Sequence, residues 1–199
     1  MLKRYGFFGV IRLFISFIYT KVVYPQARLI RLPFDIRNSH NISIGRNFTT
    51  GFGCRIEAHP QVDKNNKNII IGENVEINDY VHIAAAEKIE IGNDVLIASK
   101  VFISDLNHGN YSGTNVDSPF TTPNSRKLSS KPVIIKDNVW IGEGVCIMSG
   151  VTIGYGSIIG ASSVVTKDIP DLSIAVGAPA RVIKKFDVSS NKWISLSNK

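Results

Sequence analysis

The stretch that decides the fold is residues 135–165, IKDNVWIGEGVCIMSGVTIGYGSIIGASSVV. Steps of six from its first residue meet β-branched aliphatic side chains without a break: Ile135, Ile141, Ile147, Ile153, Ile159 and Val165. A period of six is neither the 3.6-residue period of a helix nor the plain alternation of an isolated strand. A fixed internal repeat of this length is typical of a β-helix solenoid.

The same register extends through most of the chain. It recurs upstream, and again shifted by two residues, at Ile44, Thr50, Ile56, Ile71, Ile77, Ile83, Ile91, Ile97 and Ile103. Three hexads of about eighteen residues close one triangular coil, and stacked coils bury one another's inner faces. We predict about five coils, at 44–61, 71–88, 91–108, 135–152 and 153–170. A β-sandwich of short strands is the alternative, and six consecutive in-register positions argue against it.

The predicted architecture is therefore all-β, with three regions. Residues 1–40 form an N-terminal helical cap, 41–170 form the β-helix, and 171–199 form a C-terminal segment with a short helix and a tail. Cys54 and Cys146 fall within hexads, which indicates reduced thiols in a cytoplasmic protein. The formal charge of +7 calls for an anionic small molecule or membrane surface as partner. We expect no nucleic-acid partner, because no zinc finger, RNP-like run or long arginine-rich block is present.

The N-terminal segment allows two interpretations. Apolar residues in 2–24 follow helical spacing and are interrupted by Lys3, Arg4, Arg12 and Lys21. The helix is either an amphipathic cap over the first coil or a neighbouring subunit, or a peripheral contact of residues 1–24 with the inner membrane face. Arg12, near the middle, argues against a spanning helix, and no small-residue cleavage site marks a signal peptide.

The periodicity breaks most visibly at 105–132, a long insertion rich in Ser, Thr, Asn, Gly and Pro. A shorter polar break at 62–68 reads as a turn between coils. Long loops without regular structure inside compact domains are usually functional or disordered. The insertion leaves the solenoid at Asp105-Leu-Asn-His-Gly, which places His108 at the rim of the third coil.

Four stretches carry a family resemblance: INDYVHIAA (77–85), IGNDVLIASKVFISDLNHG (91–109), VWIGEGVCIMSGVTIGYGSIIGASSVVTKDIP (139–170) and AVGAPARVIKK (175–185). They resemble hexapeptide-repeat acetyltransferases of the galactoside, maltose and nodulation-factor type, and most of all the O-acetyltransferases of lipopolysaccharide and O-antigen synthesis. The resemblance implies a left-handed parallel β-helix, acetyl-CoA as co-substrate and no metal. It also implies a homotrimer with active sites at subunit boundaries, and a sugar, nucleotide-sugar or lipid-linked glycan as acceptor.

The same resemblance assigns His108 as the catalytic base. Acetyl transfer to a hydroxyl requires removal of the hydroxyl proton, and a neutral imidazole suits that task near neutral pH. Negative charge that develops on the acyl oxygen needs a donor, for which a backbone N–H around Gly142 and Glu143 is the candidate. Asp105 and a loop carbonyl are the two alternatives for orienting the imidazole.

The remaining candidate residues fall into two sets. Those expected near the acceptor are Asp79, Tyr80, His82 and Asn107. The resemblance places Ala161, Ser162, Thr166 and Lys167 along the pantetheine arm of coenzyme A, and Arg181 and Lys184 near its adenine and phosphates. Gly142 and Glu143 complete the donor set. Trp140 points outward beside the groove, either as a wall for the arm or as a lid on the long loop. Lysine and arginine are the expected partners of its phosphates.

Other functions remain open at this stage. One is an acyltransferase for an amine, a serine or an antibiotic. Another is a metal-dependent enzyme of the carbonic-anhydrase type on the same solenoid. That chemistry typically needs three histidine ligands, two of them close in sequence, and the histidines at 40, 59, 82 and 108 include no such pair. A non-catalytic binding solenoid is disfavoured by the intact histidine loop.

Overall fold

The computed structural model describes residues 2–59 and 67–196. Most of the predicted turn at 62–68 lies outside these ranges. The elements in chain order are α1 (Leu2–Val23), β1 (Phe34–Arg37), β2 (Ile42–Ile44), β3 (Thr49–Thr50), β4 (Cys54–Ala58), β5 (Ile69–Ile71), β6 (Glu76–Ile77), β7 (His82–Ala85), β8 (Ile89–Ile91), β9 (Leu96–Ile97), β10 (Phe102–Ser104), β11 (Leu106–His108), β12 (Leu128–Ser130), β13 (Val133–Ile135), β14 (Trp140–Ile141), β15 (Cys146–Ile147), β16 (Thr152–Ile153), β17 (Ile158–Ile159), β18 (Val164–Val165), β19 (Ser173–Val176), β20 (Arg181–Asp187) and β21 (Lys192–Ser195).

The short strands stack into three parallel faces of a triangular prism. Face A holds β3, β6, β9, β14, β17 and β19, face B holds β1, β4, β7, β10, β15 and β18, and face C holds β2, β5, β8, β13 and β16. The chain runs from face C to A to B and repeats this path five times between β2 and β18, which confirms the predicted five coils. Partial turns flank them, since Leu29 bridges to Thr49 and Ile169 bridges to Ile153.

The hexad register is the register of the core. On face A, Ile77 pairs with Ile97, Ile97 with Ile141, and Ile141 with Ile159. All four are fully buried. Stacking of like side chains along the axis buries apolar surface, which stabilises the fold by about 25 cal/mol per Å². A single coil could not bury its inner face in this way.

Two buried serines replace aliphatic residues in the last full coil. Ser157 Oγ donates to the carbonyl of Pro170 at 2.8 Å, and Ser163 Oγ accepts from the N–H of Gly177 at 3.0 Å. Both hydroxyls are therefore satisfied, as buried polar groups must be. They join the end of the solenoid to the segment that follows it.

The C-terminal segment contains no helix in its described part, residues 171–196, so the short helix predicted there is wrong. Strand β20 instead pairs antiparallel with β19, and β21 pairs with β20. The physical reason lies at the end of the solenoid, where β19 offers an open row of backbone donors and acceptors. The β-branched pair Val182 and Ile183 suits a strand that covers this edge.

The N-terminal helix forms as predicted, with a break at Gly6 (φ 65°, ψ 175°), but its packing face differs from the expectation. The side chains that are fully buried against the solenoid are Ser16 and Thr20. Most of the apolar side chains expected to form the packing stripe, Phe14 among them, are exposed. Hydrogen bonds to the segment before β1 compete successfully with apolar contact in fixing this helix.

Both cysteines are free thiols. Cys54 is buried, and burial raises the pKa of its thiol to about 11. Cys146 is half-buried on face B. Cys54 therefore stays protonated at neutral pH, as expected of a structural thiol.

Candidate active site

The exit of the long loop is held by Asp105, which is fully buried. Its carboxylate accepts hydrogen bonds from the backbone N–H groups of Ala86, Glu87 and Lys88 at 2.7, 2.8 and 2.7 Å. Burial raises the pKa of Asp105, against the lowering effect of these three bonds. Because the carboxylate is committed to this corner, Asp105 does not orient His108, and that alternative is closed.

Strands β11 and β12 form an antiparallel hairpin that begins at this exit and carries His108. His108 pairs with Leu128, and side chains alternate along a strand, so Leu106 and Leu128 lie on the same face of the hairpin as the imidazole. His108 is exposed. Within residues 2–59 and 67–196 its ring makes no hydrogen bond, so the imidazole is free to meet a reacting group.

A polar cleft of about 240 Å³ lies against the hairpin, and His108 is not among the residues that line it. Residues of the hairpin, of the loop between its strands and of the fourth coil line the cleft: Asn107, Gly109, Asn110, Tyr111, Ser112, Ser129, Ser130, Lys131 and Ser149. Hydroxyls, amides and one ammonium are the groups that bind a polyol. Of the predicted acceptor residues, the cleft contains Asn107 alone.

The loop beyond the hairpin is organised by Arg126. Its guanidinium donates to the hydroxyl of Tyr111 at 2.7 Å and to the carbonyl of Thr121 at 2.6 Å. The Tyr111 hydroxyl in turn donates to the carbonyl of His108. A chain of hydrogen bonds thus fixes the backbone at His108. Tyr111, Arg126 and the cleft serines could not be predicted, since nothing in their spacing distinguishes them from other loop residues.

Asp79 and Tyr80 lie at the corner between faces A and B of the second coil. The Asp79 carboxylate accepts a hydrogen bond from the N–H of Phe52 at 2.7 Å, so it caps the corresponding corner of the first coil. Tyr80 has a left-handed backbone (φ 58°) and is 62% exposed. Face B separates this corner from His108, so Asp79 and Tyr80 do not share the cleft with Asn107.

His82 lies on face B in a charged network that the sequence analysis missed. Its Nε2 is 2.9 Å from an oxygen of the buried Glu57, which also forms ion pairs with Arg55 at 2.6 Å and Arg37 at 3.2 Å. Burial acts to raise the pKa of Glu57, but the hydrogen bonds from Arg55 and His82 outweigh it and lower that pKa. Glu57 therefore stays ionised and holds the imidazole of His82 in place.

The donor-side residues begin on face A, where Leu96 and Trp140 are register neighbours. Both point outward, as alternation predicts, and are 41% and 50% exposed. Next to Trp140 the chain turns at Gly142, where an added Cβ would lie 2.6 Å from the nitrogen of Ala161. This crowding brings the 142–143 and 161–162 corners into close contact.

The backbone donors at this corner are not equivalent. The N–H of Gly142 is spent on the carbonyl of Ile159 at 2.8 Å. In the first coil the next N–H, that of Phe52, is capped by a carboxylate of the following coil. The N–H of Glu143 occupies the corresponding place in the fourth coil. The residue of the following coil that faces it is Ala161, whose side chain has no hydrogen-bond acceptor. Glu143 is therefore the better candidate donor of the two, while its carboxylate pairs with Lys100 at 3.3 Å.

The other predicted donor residues are spread along the end of the solenoid. Ser162 lies at the same corner as Glu143 and donates its N–H to the Glu143 carbonyl at 2.7 Å. Thr166 and Lys167 lie exposed at the far edge of face B. Arg181 and Lys184 lie on β20, beyond the last coil. These residues do not share one edge, because face B separates Thr166 and Lys167 from Ser162.

Two edges of face B thus carry the two halves of the predicted site. His108 follows β10 at the edge toward face C, whereas Glu143 precedes β15 at the edge toward face A. A strand of a hexad, at about 3.3 Å per residue, puts these edges on the order of 15 Å apart. One chain does not bring its own His108 and Glu143 together.

Comparison with known proteins defines the class of molecule. The pattern of the bacterial transferase hexapeptide (six repeats) matches residues 132–167. A protein named as a lipopolysaccharide biosynthesis O-acetyl transferase, WbbJ of Escherichia coli K12, is 43% identical over 192 residues, covering 96% of this chain and 95% of that protein. A galactoside O-acetyltransferase of the same organism is 40% identical over 120 residues, covering 60% of this chain and 55% of that protein.

Solved structures of acyltransferases have the same fold as this chain. A point mutant of AntD, an N-acyltransferase from Bacillus cereus, in complex with dTDP-4-amino-4,6-dideoxyglucose and coenzyme A, superposes with a TM-score of 0.66 at 28% identity, over 82% of this chain and 84% of that chain. A galactoside acetyltransferase in complex with coenzyme A superposes with a TM-score of 0.52 at 33% identity, over 77% and 72%.

The fold and the relatives define an acyltransferase built on a left-handed parallel β-helix. The chain belongs to the hexapeptide-repeat acetyltransferase family. Within the described residues, no group of three or more His, Cys, Asp or Glu side chains is placed to hold a metal ion.

Proposed function

We propose that this protein transfers an acetyl group from acetyl-CoA to a hydroxyl of a sugar in the synthesis of a bacterial surface polysaccharide such as lipopolysaccharide O-antigen. The observation that carries the proposal is the similarity to WbbJ along nearly the whole of both chains. The polar cleft beside the His108 hairpin supports a polyol acceptor.

The chemistry follows from the positions of a few groups. Acetyl-CoA supplies an activated acyl carbon and a thiolate leaving group. His108 takes the proton of the acceptor hydroxyl as its oxygen attacks, and the imidazolium then protonates the departing sulfur. The Glu143 N–H stabilises charge on the acyl oxygen. Asn107 and the cleft hydroxyls hold parts of the acceptor away from the reacting hydroxyl, while Asp79, Tyr80 and His82 contact other parts of it or serve a second subunit.

The donor residues fit a long anionic ligand. Trp140 and Leu96 offer an apolar wall on face A, and the corner at Gly142, Ala161 and Ser162 offers backbone groups to an extended arm. Thr166 and Lys167 lie across face B from this corner, and Arg181 and Lys184 lie beyond the last coil as partners for phosphates.

Charge reversal on β20 tests the phosphate assignment. We expect Lys184→Glu to raise the KM for acetyl-CoA about tenfold at low salt, equivalent to 1.4 kcal/mol, with kcat nearly unchanged. The effect shrinks as salt screens the charges. Donor titrations at two ionic strengths measure it.

Lys185→Glu is the matched control, because neighbouring residues of a strand point to opposite faces. It makes the same charge change one position away and leaves the donor KM nearly unaltered. Equal effects of the two substitutions would assign the result to overall charge and move the phosphate site to Arg181.

The assembly proposed here is a homotrimer with parallel axes. The two halves of the predicted site lie on opposite edges of face B, so a second copy is needed to bring Glu143 of one chain to His108 of another. Leu96 and Trp140 provide an exposed apolar patch for such a contact. Sedimentation equilibrium should give about three times 21.9 kDa, whereas an active monomer contradicts the shared site.

A panel of acceptors tests the function itself. Coenzyme A release is measured with free sugars, nucleotide sugars and lipid-linked glycans, each as a hydroxyl and amino pair where both exist. Turnover restricted to hydroxyl sugars supports the proposal. Turnover restricted to amino sugars favours a second candidate, N-acylation of an amino sugar, which the similarity to AntD supports. No release with any sugar contradicts both.

The compartment proposed is the cytoplasm, where acetyl-CoA is made. A peripheral contact of residues 1–24 with the inner membrane face is part of the same proposal, and its structural basis lies in helix α1.

A further inference from the structure

Helix α1 exposes an unusually large apolar surface. Phe7, Phe8, Phe14 and Val22 are 66, 80, 63 and 77% exposed, and Ile15 is 52% exposed. Among the described residues, Lys3–Val23 is the one helix with the length and apolar composition of a membrane span. Exposed apolar patches of this size mark sites of interaction.

The opposite side of α1 is polar and faces the solenoid. Arg12, Ser16 and Thr20 lie four residues apart, hence on one stripe. The Arg12 guanidinium packs over the ring of Phe52 at 4.5 Å. Ser16 Oγ accepts from the N–H of Leu32 at 3.1 Å, and Thr20 Oγ1 accepts from the N–H of Ile30 at 2.8 Å.

This polarity is the reverse of that of a helix on a water-soluble core, which buries its apolar face. The mid-helix charge of Arg12, which argues against a spanning helix in the sequence, is turned toward the protein. Lys21 does the same, since its ammonium donates to the carbonyl of Ala27 at 2.9 Å. The outer face of α1 is left almost purely apolar.

The charge of the chain is concentrated in the same region. Residues 1–34 contain six of the 23 Lys and Arg residues and none of the 16 Asp and Glu residues. The rest of the chain has 17 basic and 16 acidic residues and is almost neutral. Nearly all of the net +7 therefore surrounds the exposed apolar helix.

We propose that α1 lies flat in the headgroup region of an anionic bilayer. Its apolar face enters the acyl boundary, while basic residues such as Lys3, Arg4 and Arg28 meet lipid phosphates. The docked polar stripe keeps the helix parallel to the solenoid surface, so spanning would pull that surface into hydrocarbon. Pairing of two copies of α1 is the wrong occupancy, because it would oppose like charges without a compensating acid.

Vesicle co-sedimentation of the full chain tests the proposal. The protein binds vesicles of phosphatidylcholine and phosphatidylglycerol, and added salt or removal of phosphatidylglycerol weakens binding. The double variant Phe7→Ser, Phe8→Ser lowers the partition coefficient at least about tenfold. Both side chains are exposed, so folding is retained, which circular dichroism checks.

Phe120→Ser is the matched control. Phe120 is 96% exposed on the long loop, and its loss leaves vesicle binding unchanged. Three results overturn the proposal: no binding of the wild-type chain to anionic vesicles, binding that survives the double substitution, or a double variant whose oligomeric state changes while vesicle binding does not. The last result assigns the apolar face to another subunit. The assay needs no acceptor, so it is independent of the proposed reaction.

Discussion

His108→Ala is expected to lower turnover at least about a hundredfold, the lower end of the loss for removing a general base. The imidazole is exposed on the hairpin, away from the three backbone amides that hold the loop exit, so its removal leaves folding and acetyl-CoA binding nearly intact. Steady-state kinetics give the loss in kcat, and calorimetry with coenzyme A shows that donor affinity is kept.

His40→Ala provides the control for histidine loss. His40 lies in the short 3-10 turn before β2, far along the axis from the hairpin, and its replacement leaves kcat unchanged. Turnover of His108→Ala at the wild-type rate would remove His108 from the mechanism and direct attention to the Glu57–His82 pair.

Asp105→Ala is expected to destabilise the protein by about 3 kcal/mol, since it strands three backbone donors at a buried corner at roughly 1 kcal/mol or more each. For a chain of this size that lowers Tm by about 6–12 °C. Activity falls with it even below the unfolding temperature, because the carboxylate anchors the neck of the loop that carries His108. Thermal unfolding and kcat at a low temperature measure the two effects.

Asp168→Ala separates this effect from ordinary capping. Asp168 also caps a corner, but it is exposed and accepts one backbone bond, from Thr152 at 2.7 Å. Its loss costs about 1 kcal/mol or less. Equal destabilisation by the two substitutions would contradict the special role of Asp105.

The hexads could be predicted because the inward position repeats locally, with the same neighbours one coil away. Ile141 occupies the same inward position of its hexad as Ile97 and Ile159, so all three are buried. Counting residues in sixes therefore identifies the core and the five coils. The loop at 105–132 is found by the same count, as the place where it fails.

Contacts across coils could not be predicted in this way. The Glu57–His82 pair joins residues 25 apart, and it depends on how many residues separate the first two coils. The clamp at Asp105 likewise depends on the corner at 86–88 in the stacked solenoid. The predicted C-terminal helix failed because a strand edge that exists only after folding attracts β20. The predicted packing face of α1 was wrong because hydrogen bonds from Ile30 and Leu32 to Thr20 and Ser16 fix the helix with its polar side inward.

The two ends of the long loop, at Asp105 and Lys131, are held together where they meet the solenoid. The N–H of Lys131 donates to the carbonyl of Asp105 at 2.9 Å, and Ser149 Oγ donates to the same carbonyl at 2.8 Å. The chain therefore leaves and re-enters the prism at one point, and Val133 resumes the ladder beside Ile89. We therefore expect that the length and sequence of the loop can change, or be exchanged for those of a relative, without altering the stacking register of the coils.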